Sequence, residues 1–574
     1  MQTAPQNPLH AAQKATQKIL AQAEVTQPFT EAMAATLKAM AEDPHALMQR
    51  SLTLYQQHLA LGASLMEQMM GQPTTPVAVP EKDDKRFANP LWNEGMANAL
   101  KQSYLLTSKF ISDSVASTEG KVDAATHRKA SFYTKLVLEM MSPGNNPFTN
   151  PEVMATAVAT NGQSLMKGME NFKKDMDAGR ISMTAYDDFT VGDNIGCTEG
   201  SVVFRNKLIE LIQYTPQTPK VGAIPLVICP PWINRFYILD LQAHNSLVNY
   251  LVGQGFQVFM ISWKNPDASY KDVTFDDYIQ HGFIAATDAA MAISGQPKVN
   301  ALGYCIGGAM LGCATAILNT KGDTRVNSVT FLNALMDYSD VGEIDVFLDD
   351  TQFAKLDAKM KDAGVLDGRD MAAAFSHLRS SDLIWSYVIN NYWLGNQPKP
   401  FDILYWNDDS TRMPAAMHSW YLKNFYLENN IAKAGKLSLL GTPLDISNIT
   451  QPAYMLGGQT DHITPWETCY APFAKLKSPN KRFILSKSGH VAGVVNPPPA
   501  ADKAGKRFLQ AGPATTPTGQ AWLATATQVA DSWWPDYAAW LMPLSGPQVS
   551  APKTLGNTQF TVLEKAPGGY VRER

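Results

Sequence analysis

Along the first seventy residues the apolar positions recur at intervals of three, four and seven. Met48, Leu52, Tyr55, Leu59, Met66 and Met70 fall on one face of a predicted helix. Such a stripe commonly packs against the protein's own body; docking on another apolar surface is the alternative. Gly71-Gln-Pro-Thr-Thr-Pro-Val-Ala-Val-Pro80 and the charged Glu81–Arg86 then predict a linker over residues 71–90. Helical periodicity returns over Trp92–Val115, His127–Met141 and Glu152–Arg180, with the turn cluster Ser142-Pro-Gly-Asn-Asn-Pro147 between the second and third. Residues 1–70 are therefore a helical extension, and residues 91–188 a helical domain.

Near Phe189 the pattern changes to short apolar runs. Ser201–Tyr214, Pro225–Pro230, Gly255–Trp263, Val299–Tyr304 and Val326–Leu332 predict strands, and Leu239–Gly253 and Asp276–Ile293 predict the helices between them. This alternation predicts a parallel sheet covered on both faces. From about 337 to 450 it stops, in a stretch rich in Trp, Tyr and Asn; an insertion of that length predicts a lid or cap. Strands resume at Ala453–Gly457 and Arg482–Ser486, and a helix around Trp522–Leu541 precedes a loose tail. The expected class is α/β, with residues 189–574 as one catalytic domain behind an all-helical N-terminal region.

Composition narrows the function. The chain has 574 residues, 45% hydrophobic and 17% charged, with a net charge of −4. That is a globular protein, and nucleic acid or an anionic membrane is not its expected partner. Five scattered cysteines without a C-x-x-C pair argue against a zinc site or a disulfide framework and fit a reducing cytoplasm. No basic-then-apolar leader is evident, and no apolar run is long enough to span a bilayer.

The candidate chemistry lies in Gly303-Tyr-Cys-Ile-Gly307. An apolar strand runs into it and a small-residue helix leaves it, which is the strand–turn–helix of a nucleophile elbow with cysteine as the nucleophile. A helix N-terminus favours thiolate over thiol at Cys305. In the α/β-hydrolase arrangement an acid and then a histidine follow the nucleophile, each in a loop past a strand end. Asp461, in Gly457-Gly-Gln-Thr-Asp-His462, and His490, in Ser488-Gly-His-Val-Ala-Gly493, fit those places. His462, Asp408 and Asp409 are rivals. The Ile306 N–H is the first oxyanion donor. The second comes from Pro230-Pro-Trp-Ile-Asn234; the prolines have no N–H, so Trp232 or Ile233 donates, with Ile233 favoured. Cys197, Cys229, Cys313 and Cys469 read as structural.

Taken together, several stretches resemble the motifs of polyhydroxyalkanoate synthases. They are Gly303–Gly308, Pro230–Asn234 with Tyr237–Leu241, Ile261–Pro266, Asp461–Trp466, Ser488–Pro498 and Val191–Asn206. The resemblance runs from about Asp84 to Trp534. It implies polymerisation of (R)-3-hydroxyacyl-CoA into a polyester with release of coenzyme A. Cys305 would hold the growing chain, His490 would be the general base, and Asp461 would orient His490 or help activate the substrate hydroxyl. The length, with Tyr304 and Ile306 beside the cysteine, resembles class I members. That implies short-chain monomers such as 3-hydroxybutyryl-CoA, a homodimer, and association with cytoplasmic polyester granules. No metal or separate cofactor is expected, coenzyme A being part of the substrate and a product. A thioesterase or depolymerase with the same three residues is the chemical alternative; a non-catalytic granule coat protein is the other.

Overall fold

Asp43 starts a 26-residue helix: its carboxylate accepts from the Ala46 N–H, and Pro44 takes the first helical position, where no N–H is needed. The computed structural model describes residues 26–82, 84–499, 508–530 and 532–574. The part of the expected helical extension before Thr26 lies outside them. Contacts divide the chain into two units: the residues through Ala185 with Ala373–Lys399, and Tyr186–Ala372 with Pro400–Arg574.

The first unit is helical. Its helices are α1 (Thr26–Ala41), α2 (Pro44–Met69), α3 (Gly95–Ala116), α4 (Ala124–Met140), α5 (Pro151–Ala159) and α6 (Gln163–Ala178). Helix α2 packs along α3, and α1 along α4. The apolar stripe of α2 is not its packing face: Met48, Leu52, Tyr55, Leu59, Met66 and Met70 are 51–65% exposed. Leu61 is buried instead, and His58 bonds Ser103 of α3 at 3.1 Å. The expectation that the stripe packs inward is therefore corrected.

The pattern also did not anticipate that part of the 337–450 stretch belongs to this unit. Asn171 of α6 donates to the carbonyls of Asn391 and Asn396, both at 3.0 Å. The Tyr392 hydroxyl donates to Asp175 at 2.7 Å, and the Trp393 indole to the Asn145 carbonyl at 3.0 Å. Asn171 and Asp175, four apart on one helix, are buried polar groups that need partners. The Asn-, Tyr- and Trp-rich segment supplies them.

The second unit has the α/β-hydrolase fold. Its 11-stranded sheet comprises β1 (Gly200–Arg205), β2 (Ile209–Tyr214), β3 (Leu226–Cys229), β4 (Val258–Trp263), β5 (Val299–Tyr304), β6 (Val326–Leu332), β7 (Ala453–Gly458), β8 (Lys481–Ser486), β9 (Phe508–Pro513), β10 (Thr527–Ala530) and β11 (Glu564–Lys565). The spatial order is β10-β9-β8-β7-β6-β5-β3-β4-β2-β1-β11. From β4 to β8 the neighbours are parallel and run as continuous apolar strands. Both flanks are antiparallel, so the sheet is mixed and not the purely parallel one expected.

Three local differences have local causes. Ser201–Tyr214 is a hairpin because the Asn206 side chain accepts from the Leu208 and Ile209 N–H groups and turns the chain. Helix α7 (Leu247–Gly253) starts late because Ser246 caps it, its hydroxyl accepting from Asn249. Trp522–Leu541 contains the strand β10 ahead of a helix over Trp533–Leu541. The tail is not loose. Strand β11 pairs with β1, the Lys264 ammonium meets the Glu573 carboxylate at 2.7 Å, and the Arg235 guanidinium donates to the Tyr570 and Glu573 carbonyls. Helices α8 (Ala285–Ser294) and α9 (Ile306–Thr320) follow β4 and β5.

Candidate active site

Cys305 stands between β5 and α9 with φ +53° and ψ −126°, a backbone region that side chains avoid and surrounding structure must enforce. The Cys305 N–H is tied to the Leu332 carbonyl of the neighbouring strand at 2.9 Å. Two glycines make the turn possible. A Cβ on Gly303 would stand 2.5 Å from the Gly308 Cα, and one on Gly307 would stand 2.5 Å from the Cys229 carbonyl oxygen. Backbone cannot yield there, so the elbow and the end of β3 fit only without side chains. Every residue from Ile306 to Leu318 is buried, which fixes α9 behind the sulfur. Ile306 is the first residue of α9, where the helix itself offers its N–H no carbonyl one turn earlier.

Asp461 follows β7 and His490 follows β8. The His490 Nδ1–H donates to Asp461 Oδ2 at 2.7 Å, leaving Nε2 for the sulfur. The same carboxylate accepts from the Ile463 N–H at 2.9 Å, the Thr464 N–H at 3.0 Å and the Thr464 hydroxyl at 2.7 Å. Burial works against charge on both partners, but their mutual attraction and hydrogen bonds outweigh it. Asp461 is held below the usual carboxylate range, and His490 well above the usual imidazole value. Cys305 adds to the second effect through its own charge and its hydrogen bond to the ring.

The backbone of His490 is also held. Its carbonyl accepts from the Asn333 side chain at 2.7 Å and from the Tyr304 hydroxyl at 3.2 Å, and the Tyr304 ring lies 5.4 Å from the imidazole. On the insertion, Tyr338 and Tyr421 are buried with their hydroxyls 3.3 Å apart, and the half-buried Tyr426 packs against both rings. Burial first, and the charge of Cys305 among later causes, raises the pKa of all three. They are neutral hydrogen-bonding groups within electrostatic reach of the sulfur.

The structure thus brings Cys305, His490 and Asp461 together. The His490 imidazole is the one seen to meet Asp461. Asp409 is buried against Arg235 at 3.3 Å, accepts the Tyr237 hydroxyl at 2.7 Å and pairs with Arg574, so its charge is already engaged. Burial pushes the thiols of Cys229, Cys313 and Cys469 up and keeps them protonated. Among the described residues, no cluster of His, Cys, Asp and Glu is disposed to hold a metal ion, and no helix is long and apolar enough to cross a membrane.

Comparison with known proteins decides the family. Residues 83–251 match the family described as the poly-beta-hydroxybutyrate polymerase (PhaC) N-terminus, and residues 224–497 match the alpha/beta hydrolase fold. The poly(3-hydroxyalkanoate) polymerase subunit PhaC of Cupriavidus necator is 41% identical over 86% of this chain and 83% of its own length. The chain belongs to the poly(3-hydroxyalkanoate) polymerase family. The Methylorubrum extorquens poly(3-hydroxyalkanoate) polymerase is likewise 41% identical, over 96% of this chain and 90% of its own, and the Rhizobium meliloti PhaC subunit is 37% identical over 96% and 91%.

For a poly(3-hydroxyalkanoate) polymerase, the residues that support the site were harder to see in sequence than Cys305, Asp461 and His490 themselves. Thr464 had a signal: a hydroxyl three residues after a loop aspartate commonly closes a local turn back onto that carboxylate. Asn333 and Tyr304 had none, since both act across strands on a backbone carbonyl.

Proposed function

We propose that the enzyme polymerises (R)-3-hydroxyacyl-CoA into polyhydroxyalkanoate, releasing coenzyme A, through a covalent thioester on Cys305. What most supports this is the hydrogen-bonded line from Asp461 through His490 to Cys305 at the elbow, in a chain of this family. In the first step the Cys305 sulfur attacks the thioester carbonyl with its proton already on His490 Nε2. The Ile306 and Ile233 N–H groups meet the oxyanion. Coenzyme A leaves as its thiol with the proton from His490. One thioester replaces another, so the exchange is nearly balanced in free energy. In the second step the 3-hydroxyl of the next unit attacks the Cys305 thioester. Its proton passes to His490, the ester forms, and the Cys305 thiolate departs. The lengthened chain, now a CoA thioester, returns to Cys305 by the first step. The buried tyrosines of the insertion exclude water from the intermediate.

No cofactor is needed, since coenzyme A enters with the substrate. Tyr304 and Ile306 beside the nucleophile, as in class I members, favour short monomers. The purified chain with (R)-3-hydroxybutyryl-CoA is expected to release free thiol and to turn turbid with insoluble polyester. Thiol release with only soluble 3-hydroxybutyrate would make it a hydrolase, and no release would leave a coat protein.

By the same family likeness the enzyme works as a cytoplasmic homodimer on the polyester granule. The exposed stripe of α2 is the surface we assign to the polymer. Leu52→Ser with Leu59→Ser should leave stability within about 0.5 kcal/mol, because neither residue is buried. Co-sedimentation with poly(3-hydroxybutyrate) particles should weaken by about tenfold, the cost of the lost apolar contact. Unchanged sedimentation would remove the stripe from that role.

A further inference from the structure

The loop after β3 is bonded to a segment of the insertion through several of its polar groups. The Thr411 hydroxyl donates to the Trp232 carbonyl at 2.6 Å and accepts from the Asn234 N–H at 2.9 Å, so it brackets Ile233 from both sides. The Asn234 side chain donates to the Trp406 and Asn407 carbonyls, both at 2.9 Å, and the Trp406 indole donates to the Arg235 carbonyl at 2.7 Å. Asn234 is itself left-handed, at φ +63°, a conformation that needs support from outside the loop.

The first of these bonds has a directional consequence. The Trp232 carbonyl and the Ile233 N–H belong to one peptide unit, which is planar and trans, so the two groups point in opposite directions. A carbonyl held on Thr411 therefore fixes the Ile233 N–H facing away from Thr411. Strands β3 and β5 are parallel neighbours with Cys229 opposite Gly303. The loop and the elbow thus leave the same end of the sheet side by side, and the loop backbone at Pro230 lies against Gly307.

We infer that Thr411 is a positioning residue for acyl transfer: its hydroxyl locks the Trp232–Ile233 peptide in the orientation that presents the Ile233 N–H to the oxyanion. Without that bond the peptide can rotate, and the second donor is no longer aimed when the tetrahedral intermediate forms. The inference rests on the reading of Cys305 as an acyl-transfer nucleophile.

The test compares Thr411→Val, which keeps the shape and loses the hydroxyl, with Thr411→Ser, which keeps the hydroxyl. Losing an aimed oxyanion donor costs about 10²- to 10³-fold in kcat, and a donor left mobile should cost about 30-fold. The expected result for Thr411→Val is that fall in kcat for CoA release from (R)-3-hydroxybutyryl-CoA, with KM within about twofold. Alkylation of Cys305 by iodoacetamide passes through no oxyanion, so its rate should not change. Thr411→Ser should restore kcat. An unchanged kcat, a parallel loss of alkylation, or no rescue by serine would each overturn the inference. Should the valine variant fail to fold, Thr411→Ala against Thr411→Ser gives the same comparison. Absence of CoA release by the wild-type chain, or its survival in Cys305→Ala, would instead strike at the reading beneath.

Discussion

Cys305→Ala should stop release of coenzyme A, with turnover at least about 10⁴-fold below the wild type, while the protein folds as before. The two halves of this expectation have different grounds. Activity is lost because the substitution deletes the only atom that carries the chain; His490 and Asp461 then hold a base with nothing to activate. The fold is kept because the strain at this position belongs to the backbone. Cysteine and alanine both carry a Cβ, so φ +53° costs each about the same, and the ties from Cys305 to Leu332 and Gly308 are main-chain bonds. The sulfur is only partly buried, so little packing goes with it. Thermal unfolding should shift by no more than about 2 °C, which calorimetry will show. Cys305→Ser should sit between the two: an alcohol is a weaker nucleophile, and the ester it forms is a poorer donor to the next hydroxyl. Residual turnover in the alanine variant comparable to wild type would mean that another thiol carries the chain. Burial argues against Cys229, Cys313 and Cys469 in that role.

The positions of Cys305, Asp461 and His490 were legible in sequence because each lies directly after a strand, where strand pattern and chain order are enough to place it. The elbow glycines carried the same kind of local signal, since a strand–turn–helix this tight excludes a Cβ. What supports the site was not legible, because it acts over long sequence separations. Asn333 reaches a carbonyl 157 residues away, and Thr411 one 179 residues away. Asparagine and threonine in loops give no pattern that tells such bonds from ordinary turns.

Period reports which residues are apolar, not which face finds a neighbour. On α2 the apolar stripe faces out, while His58 and Leu61 do the packing. In the 337–450 stretch, Trp, Tyr and Asn suggested a single insertion, yet its middle satisfies the buried Asn171 and Asp175 of the helical unit and its later part holds the loop after β3. Asp409 looked like a spare acid only because the arginines and the tyrosine around it are distant in sequence.

Asp461→Asn should lower kcat by about 10³- to 10⁴-fold with Cys305 and His490 both in place. The amide can still accept from the Ile463 and Thr464 N–H groups, so the loop keeps its shape. Its NH₂, however, would face His490 Nδ1, which must then present a lone pair. The ring proton moves to Nε2, and the imidazole can no longer take the proton of Cys305 or of the incoming hydroxyl. Stability should change with a definite pH dependence. His490 lies well above its ordinary 6.5 in the folded state, so its contribution is full below about 6.5 and is lost as pH rises through the folded value. Asp461 lies below 3.8, so its contribution is full above 3.8 and is lost as pH falls through its folded value. Both are present between those limits, and the asparagine variant lacks both. In that variant burial still opposes the charge on His490, and the attraction of Asp461 no longer offsets it. The melting-temperature gap between wild type and variant should therefore be widest near pH 5 and should narrow as pH rises past neutrality. A gap independent of pH between 5 and 9 would mean that the pair is not charged in the folded protein, and that Asp461 supports the loop rather than the base.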